Sequence, residues 1–245
     1  MNRFFIKKDY INNKSIVIMG EDVNHITNVL RKKENDRIIL CDGEGKDYIV
    51  AIESIDRKVI KTKILYEEKS IGEADIDITI YQGIPKSAKM DLIIQKCTEL
   101  GAARIVPMFS DRTIVRFSSA GDEERKIDRW QKIALEAAKQ SGRGRVPMIN
   151  KPMTFIEAMD DAMSNDLVLI PYELEKSLNL KQVLKKEKPN SVGIFVGPEG
   201  GFDISEISLA TDSKACIITL GNRILRTETA ALVVMGIILY EFNQM

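Results

Sequence analysis

The chain has 245 residues, of which 44% are hydrophobic and 29% charged, with 36 basic side chains against 36 acidic ones and a single histidine. That length and balance suit a soluble protein with one large core or two modest ones. No apolar run approaches the ~20 residues that a membrane-spanning helix needs, and no Cys/His cluster has metal-ligand spacing, so neither a membrane-spanning helix nor a zinc site is expected.

The first nine residues lack the apolar stretch of a signal peptide. The three cysteines, Cys41, Cys97 and Cys216, are widely separated in apolar surroundings and read as reduced core thiols. The expected compartment is therefore the cytoplasm. Charge is uneven along the chain. Residues 84–151 carry 14 Lys and Arg against 8 Asp and Glu, whereas residues 152–245 carry 8 against 13. A basic middle is either a footprint for phosphate backbones or a set of solvated helix faces.

Residues 1–66 read as mostly β. Short Ile- and Val-rich runs at 3–6, 15–19, 37–41, 47–52 and 59–65 alternate in part. Asp42-Gly43-Glu44-Gly45 is a hairpin signal between two of them. A helix at 21–31, with Val23, Ile26 and Leu30 on one face, interrupts. So many short strands close naturally into a five-stranded barrel. The polar stretch 66–75 reads as a linker, dividing the chain into residues 1–70 and 71–245.

After it, strands and helices alternate. Strands are expected at 77–82, 104–109, 167–171, 191–196 and 215–220, and helices at 87–100, 122–140, 154–163, 203–210 and 227–242. Alternating units imply an α/β domain with a parallel sheet covered by helices. The first helix turns Met90, Ile93, Ile94 and Cys97 inward, and the second Ile127, Trp130, Ile133, Ala134 and Ala137. The polar stretch 117–124 reads as a mobile loop with no legible role.

Two loops stand out. Gly197-Pro198-Glu199-Gly200-Gly201 follows the strand 191–196, and Gly221-Asn222-Arg223-Ile224-Leu225-Arg226-Thr227-Glu228 follows 215–220. Ligands in open α/β sheets collect at the carboxyl ends of strands. Neither loop has the Gly-x-Gly-x-x-Gly spacing of a dinucleotide cradle, and no P-loop occurs. The first loop is otherwise a tight turn, with Asp203 and Glu206 forming a capping box for the next helix. Arg226–Glu228 or Arg223–Glu199 pairs could hold the second loop in shape, and Thr227 reads as an N-cap. Gln140-Ser141-Gly142-Arg143-Gly144-Arg145 sets two arginines among glycines, suited to phosphate contact or simply solvated after a helix C-cap.

Taken together, residues 86–100, 136–147, 197–202 and 220–230 resemble the RsmE family, 16S rRNA uridine-N3 methyltransferases of the SPOUT superfamily. His25 followed by Arg31, and the Asp42-Gly43-x-Gly45 turn, resemble the same family's PUA-like RNA-binding domain. The match covers essentially the whole chain in order. It implies an N-terminal PUA-like β-barrel and a C-terminal SPOUT α/β domain with a deep trefoil knot, a rare exception to the rule against threaded chains. It also implies a homodimer that uses S-adenosyl-L-methionine to methylate N3 of one uridine of 16S rRNA in the small ribosomal subunit.

The three loops after strands 167–171, 191–196 and 215–220 would bind the cofactor. Its expected contacts are Leu169, Ile170, Pro171, Gly197, Pro198, Glu199, Gly200, Gly201, Leu220, Gly221, Ile224, Leu225, Arg226, Thr229 and Ala230. Uridine N3–H is weakly acidic, so its anion needs a cation and its proton an acceptor. Arg226 and Arg143 are candidates for the first role, and Glu199 and Glu228 for the second. Arg3, His25, Arg31, Lys32, Lys86, Lys89, Arg112, Arg143 and Arg145 are the expected RNA contacts. The readings weighed against this one are a ribosome-assembly factor that kept the fold without catalysis, and a SPOUT enzyme acting on another RNA.

Overall fold

The computed structural model describes residues 3–245. The chain divides into two compact units. Residues up to Glu73 together with Ala138–Val146 form the first, and Ala74–Ala137 with Pro147–Met245 form the second. The expected division at residue 70 puts 138–146 with the rest of the α/β domain. The structure instead counts this segment with the first unit.

The first unit is built on β1 (Arg3–Phe5), β2 (Ile11–Asn12), β3 (Ser15–Met19), β4 (Arg37–Cys41), β5 (Lys46–Ile55) and β6 (Val59–Lys69). They form one sheet in the order β1-β4-β5-β6-β3-β2, antiparallel except where β1 pairs with β4. That is six strands, not five, because the two-residue β2 carries no periodicity to read. Alternation along the strands buries Phe4, Ile16, Ile18, Ile38, Leu40, Val50, Ile52 and Ile60 in one core. Val23 and Ile26 come to the same core from α1 (Glu21–Asn24), which continues as a π-helical turn over His25–Val29.

The expected linker is largely structured. Tyr66–Lys69 complete β6 and pair with β5, from Tyr66 opposite Ile49 to Lys69 opposite Lys46. Their charges face outward, so the run reads as a linker although its backbone is laddered. Beyond it, the Glu73 carboxylate accepts hydrogen bonds from Arg143 Nη2 (2.6 Å), Gly144 N and Arg145 N (both 3.0 Å). Asp47, which is buried, takes Arg3 Nη2 and Ser70 Oγ, each at 2.5 Å.

The second unit holds a parallel sheet of β7 (Asp77–Gly83), β8 (Arg104–Phe109), β9 (Met148–Ile149), β10 (Met153–Thr154), β11 (Leu167–Pro171), β12 (Ser191–Val196) and β13 (Cys216–Ile218). The order is β10-β8-β7-β12-β11-β13, with β9 also on β8. The helices are α2 (Lys89–Glu99), α3 (Ala120–Ser141), α4 (Phe155–Ala162), α5 (Leu180–Leu184), α6 (Ile204–Asp212) and α7 (Thr227–Glu241).

The inward faces expected of α2 are buried. On α3, Trp130, Ala134 and Ala137 are buried while Ile127 and Ile133 remain half-buried. This helix starts at Ala120, where Ser119 Oγ accepts from the Asp122 amide at 3.2 Å. Residues 120–124 of the polar stretch 117–124 are thus the start of the helix rather than a loop. The capping box at the start of α6 is as expected, with Asp203 accepting from Ser205 N and Glu206 from Asp203 N.

Candidate functional site

A parallel sheet sends every strand's carboxyl end to one edge, and β12, β11 and β13 are consecutive in this one. Their following loops therefore lie side by side. Between them is a cavity of about 500 Å³ lined by Pro171 and Glu173, by 196–202, by Ile224–Thr227, and by Ala230 and Lys89. A second cavity of about 310 Å³ shares Pro171, Glu173, Ile224, Leu225 and Ala230 with it and continues along Leu174, Leu220, Gly221 and Arg223.

The loop after β12 is held from both sides. Behind it, a Cβ on Gly83 would stand 2.6 Å from both Pro198 Cδ and Pro198 N, so the strand end and the loop pack as bare backbone. In front, Arg112 Nη1 donates to the Gly200 carbonyl at 3.0 Å, and Arg112 Nη2 pairs with Asp203 at 3.1 Å. Gly201 turns at φ +70°, where a side chain is strained, and a Cβ there would meet Glu173 Oε1 at 2.9 Å.

Beneath the loop lies a buried polar chain. Gln82 Nε2 donates to the Gly83 carbonyl (2.9 Å) and to Thr227 Oγ1 (2.8 Å), and reaches the Val196 carbonyl at 3.4 Å. Thr227 Oγ1 donates onward to the Gly197 carbonyl at 2.6 Å. Thr227 is therefore not the cap expected of it. It is the first helical residue, after an Arg226 N-cap that makes no side-chain cap bond.

The charges of the site are arranged differently from expectation. Neither Arg226–Glu228 nor Arg223–Glu199 forms. Lys89 Nζ sits 3.2 Å from Glu199 Oε1 and 3.5 Å from Glu228 Oε2. Both Glu199 oxygens also accept from the Lys86 amide at 3.2 Å. Partial burial pushes the Glu199 carboxyl up, but its own amide, that of Lys86 and the Lys89 ammonium outweigh this and hold it below the usual range. Arg226 lines the cavity and, among the described residues, its guanidinium makes no hydrogen bond or ion pair.

Of the expected cofactor contacts, Pro171, Gly197, Pro198, Glu199, Gly200, Gly201, Ile224, Leu225, Arg226 and Ala230 line the first cavity. Leu220 and Gly221 line the second. Leu169 and Ile170 are fully buried within β11 and belong to the core instead. Thr229 is exposed on α7 and lines neither cavity.

Among the candidate catalytic residues, Glu199, Arg226 and Glu228 come together with Lys89, but Arg143 does not. It belongs to the first unit, is 2% exposed and is paired with Glu73, so it presents no guanidinium to an RNA or a reacting base. Arg3 is likewise committed to Asp47 and the Gly142 carbonyl. Arg145 is half-buried, its backbone bridged to Gly43 and Glu44. His25, Arg31 and Lys86 are exposed and Lys32 half-exposed, while Arg112 and Lys89 serve the site as described. Sequence reasoning missed Gln82, Glu173 and the siting of Lys89. Gln82 carried no signal beyond being polar within an apolar strand.

Comparison with known proteins agrees with this layout. An RNA methyltransferase domain model matches residues 72–239, and an RNA methyltransferase PUA domain model matches 18–65. Ribosomal RNA small subunit methyltransferase E of Bacillus subtilis (strain 168) is 34% identical over 249 aligned residues, covering 98% of this chain and 97% of the relative. The enzyme of the same name from Mesomycoplasma hyopneumoniae (strain 232) is 33% identical, covering 95% and 96%. A crystal structure of that methyltransferase from Neisseria gonorrhoeae, bound to S-adenosyl methionine, superposes with a TM-score of 0.83 at 30% identity, covering 98% of this chain and 97% of the other. With its PUA and methyltransferase domains in that order, the chain belongs to the ribosomal RNA small subunit methyltransferase E family.

Proposed function

We propose that this protein transfers a methyl group from S-adenosylmethionine to N3 of one uridine in the 16S rRNA of the small ribosomal subunit, working as a homodimer in the cytoplasm. The cavity enclosed by the loops after β11, β12 and β13, with an unpaired Arg226 on its wall, supports this reading above all. The residues present fit the cofactor. Backbone of the glycine loops and the apolar Pro171, Ile224 and Leu225 suit a nucleoside, carboxylates suit a sulfonium, and Arg226 suits a carboxylate. When bound, the cofactor supplies an activated methyl group.

The protein's part is positioning and charge. Arg226 is assigned to stabilise the anion of the uracil or to hold the cofactor's carboxylate, and Glu199 or Glu228 to accept the N3 proton. The 1–70 division, with 138–146 counted to it, is assigned as the RNA-recognition module and the rest of 71–245 as the methyltransferase, its three loops passing through a trefoil knot. His25, Arg31, Lys32 and Lys86 are assigned to RNA contact. Exposed Ile237 and Tyr240 on α7 suit a partner subunit. The target base has to be unpaired or flipped out to reach such a cavity.

The test is methyl transfer from labelled S-adenosylmethionine to small subunits from cells lacking the enzyme, with nucleoside analysis of the 16S rRNA. Appearance of 3-methyluridine supports the proposal. Cofactor binding without transfer means another RNA, and neither binding nor transfer removes the enzyme reading.

A further inference from the structure

Glu228 and Glu199 reach Lys89 from different elements, the first turn of α7 and the loop after β12, while Lys89 begins α2. Glu199 has amide donors besides Lys89. Glu228 Oε2 is buried and accepts no hydrogen bond, and among the described residues Lys89 is the one cation within ion-pair distance of it. A carboxylate oxygen cut off from water and from hydrogen-bond donors draws its compensation from the nearest cation. Arg226 lines the same cavity as Lys89 and Glu199, yet among the described residues it is unpaired.

We infer that Lys89 is a positioning residue of this site: by neutralising Glu228 and Glu199 it keeps Arg226 unpaired and available to the anion of a bound ligand. This rests on the methyltransferase reading only for which ligand that is. A cation suits the task because it faces two carboxylates at once. Remove the ammonium, and the carboxylates it held compete for Arg226.

The experiment compares Lys89→Met, Lys89→Gln and Lys89→Arg in the full chain. Each is followed by the Arg226 Nε–H resonance in nitrogen-15 NMR, by thermal unfolding and by steady-state kinetics on small subunits. The expected result is an Arg226 resonance moved to a new, ion-paired position in Lys89→Met and Lys89→Gln, with kcat/KM lowered on the order of 100-fold. In Lys89→Arg both stay near the wild-type values. An unmoved Arg226 resonance in a folded Lys89→Met or Lys89→Gln protein overturns the inference. So does failure of Lys89→Arg to rescue. The resonance needs no substrate, so wild-type protein that transfers no methyl group sinks the proposed function while leaving this inference to stand or fall on the NMR.

Discussion

Gln82 and Thr227 lie 145 residues apart in the chain and 2.8 Å apart in space, and Thr227 hands the contact on to the Gly197 carbonyl at 2.6 Å. Through that pair the end of β7, the loop after β12 and the start of α7 are fixed as one piece. Gln82→Met leaves the Gly83 carbonyl and Thr227 Oγ1 buried without their donor. The expected loss is about 1–3 kcal/mol, read by urea unfolding. Gln82→Glu is expected to cost more, because it sets a carboxylate against carbonyl oxygens. Calorimetry with S-adenosylmethionine should show weaker binding in both.

Gly83 has no room for a methyl group. Gly83→Ala is expected to push Pro198 and its loop forward, at a cost of ~1–3 kcal/mol in overpacking. Cofactor affinity should fall with stability, and a variant as stable and as tight-binding as wild type contradicts the described packing.

Glu73 collects Arg143 and two successive amides in a nearly closed site. Glu73→Gln keeps the shape but strands a buried guanidinium, so about 3–5 kcal/mol of stability should be lost. Combining Glu73→Gln with Arg143→Met should recover most of it, since the amides keep their acceptor and no uncompensated charge remains. Hydrogen exchange across β5 and β6 measures the effect within the first unit.

Glu175, in the loop between β11 and α5, accepts from Ser177 Oγ (2.5 Å), Ser177 N (2.6 Å) and Leu178 N (3.1 Å). These bonds lower its carboxyl from 4.5 to about 2. A carboxyl depressed on folding stabilises above its unfolded value and loses that contribution as pH falls. Protection of the Ser177 and Leu178 amides should therefore hold above about 4.5 and fade towards 2. Glu175→Gln should flatten that dependence.

What the sequence disclosed was mostly short-range. The Asp203–Glu206 capping box spans four residues and the buried stripe of α2 repeats every turn, so both are written locally. The central strands of the parallel sheet are continuous apolar runs between turns, and their positions follow from that. The two-residue strands β2, β9 and β10 have too few residues to show a period, and α5 has five. Charge partners failed for the opposite reason. Sequence proximity suggested Arg226 for Glu228, whereas the actual cation is Lys89, on another helix. Arg143, between glycines, looked exposed because its partner Glu73 is 70 residues upstream. The loops of the cavity were legible because glycine at the end of a buried strand is itself a local signal.

The segment Ala138–Val146 completes the first unit from a position well inside the second unit's stretch of chain. During synthesis the N-terminal strands emerge first, yet Arg3 lacks the Gly142 carbonyl and Glu73 lacks Arg143 until residue 146 has left the ribosome. A nascent chain halted near residue 75 therefore carries Glu73 as a carboxylate short of partners, while Asp47 already has Arg3 and Ser70. The N-terminal unit is sealed only after β7, α2, β8 and most of α3 have been made, which couples the maturation of the two units in time.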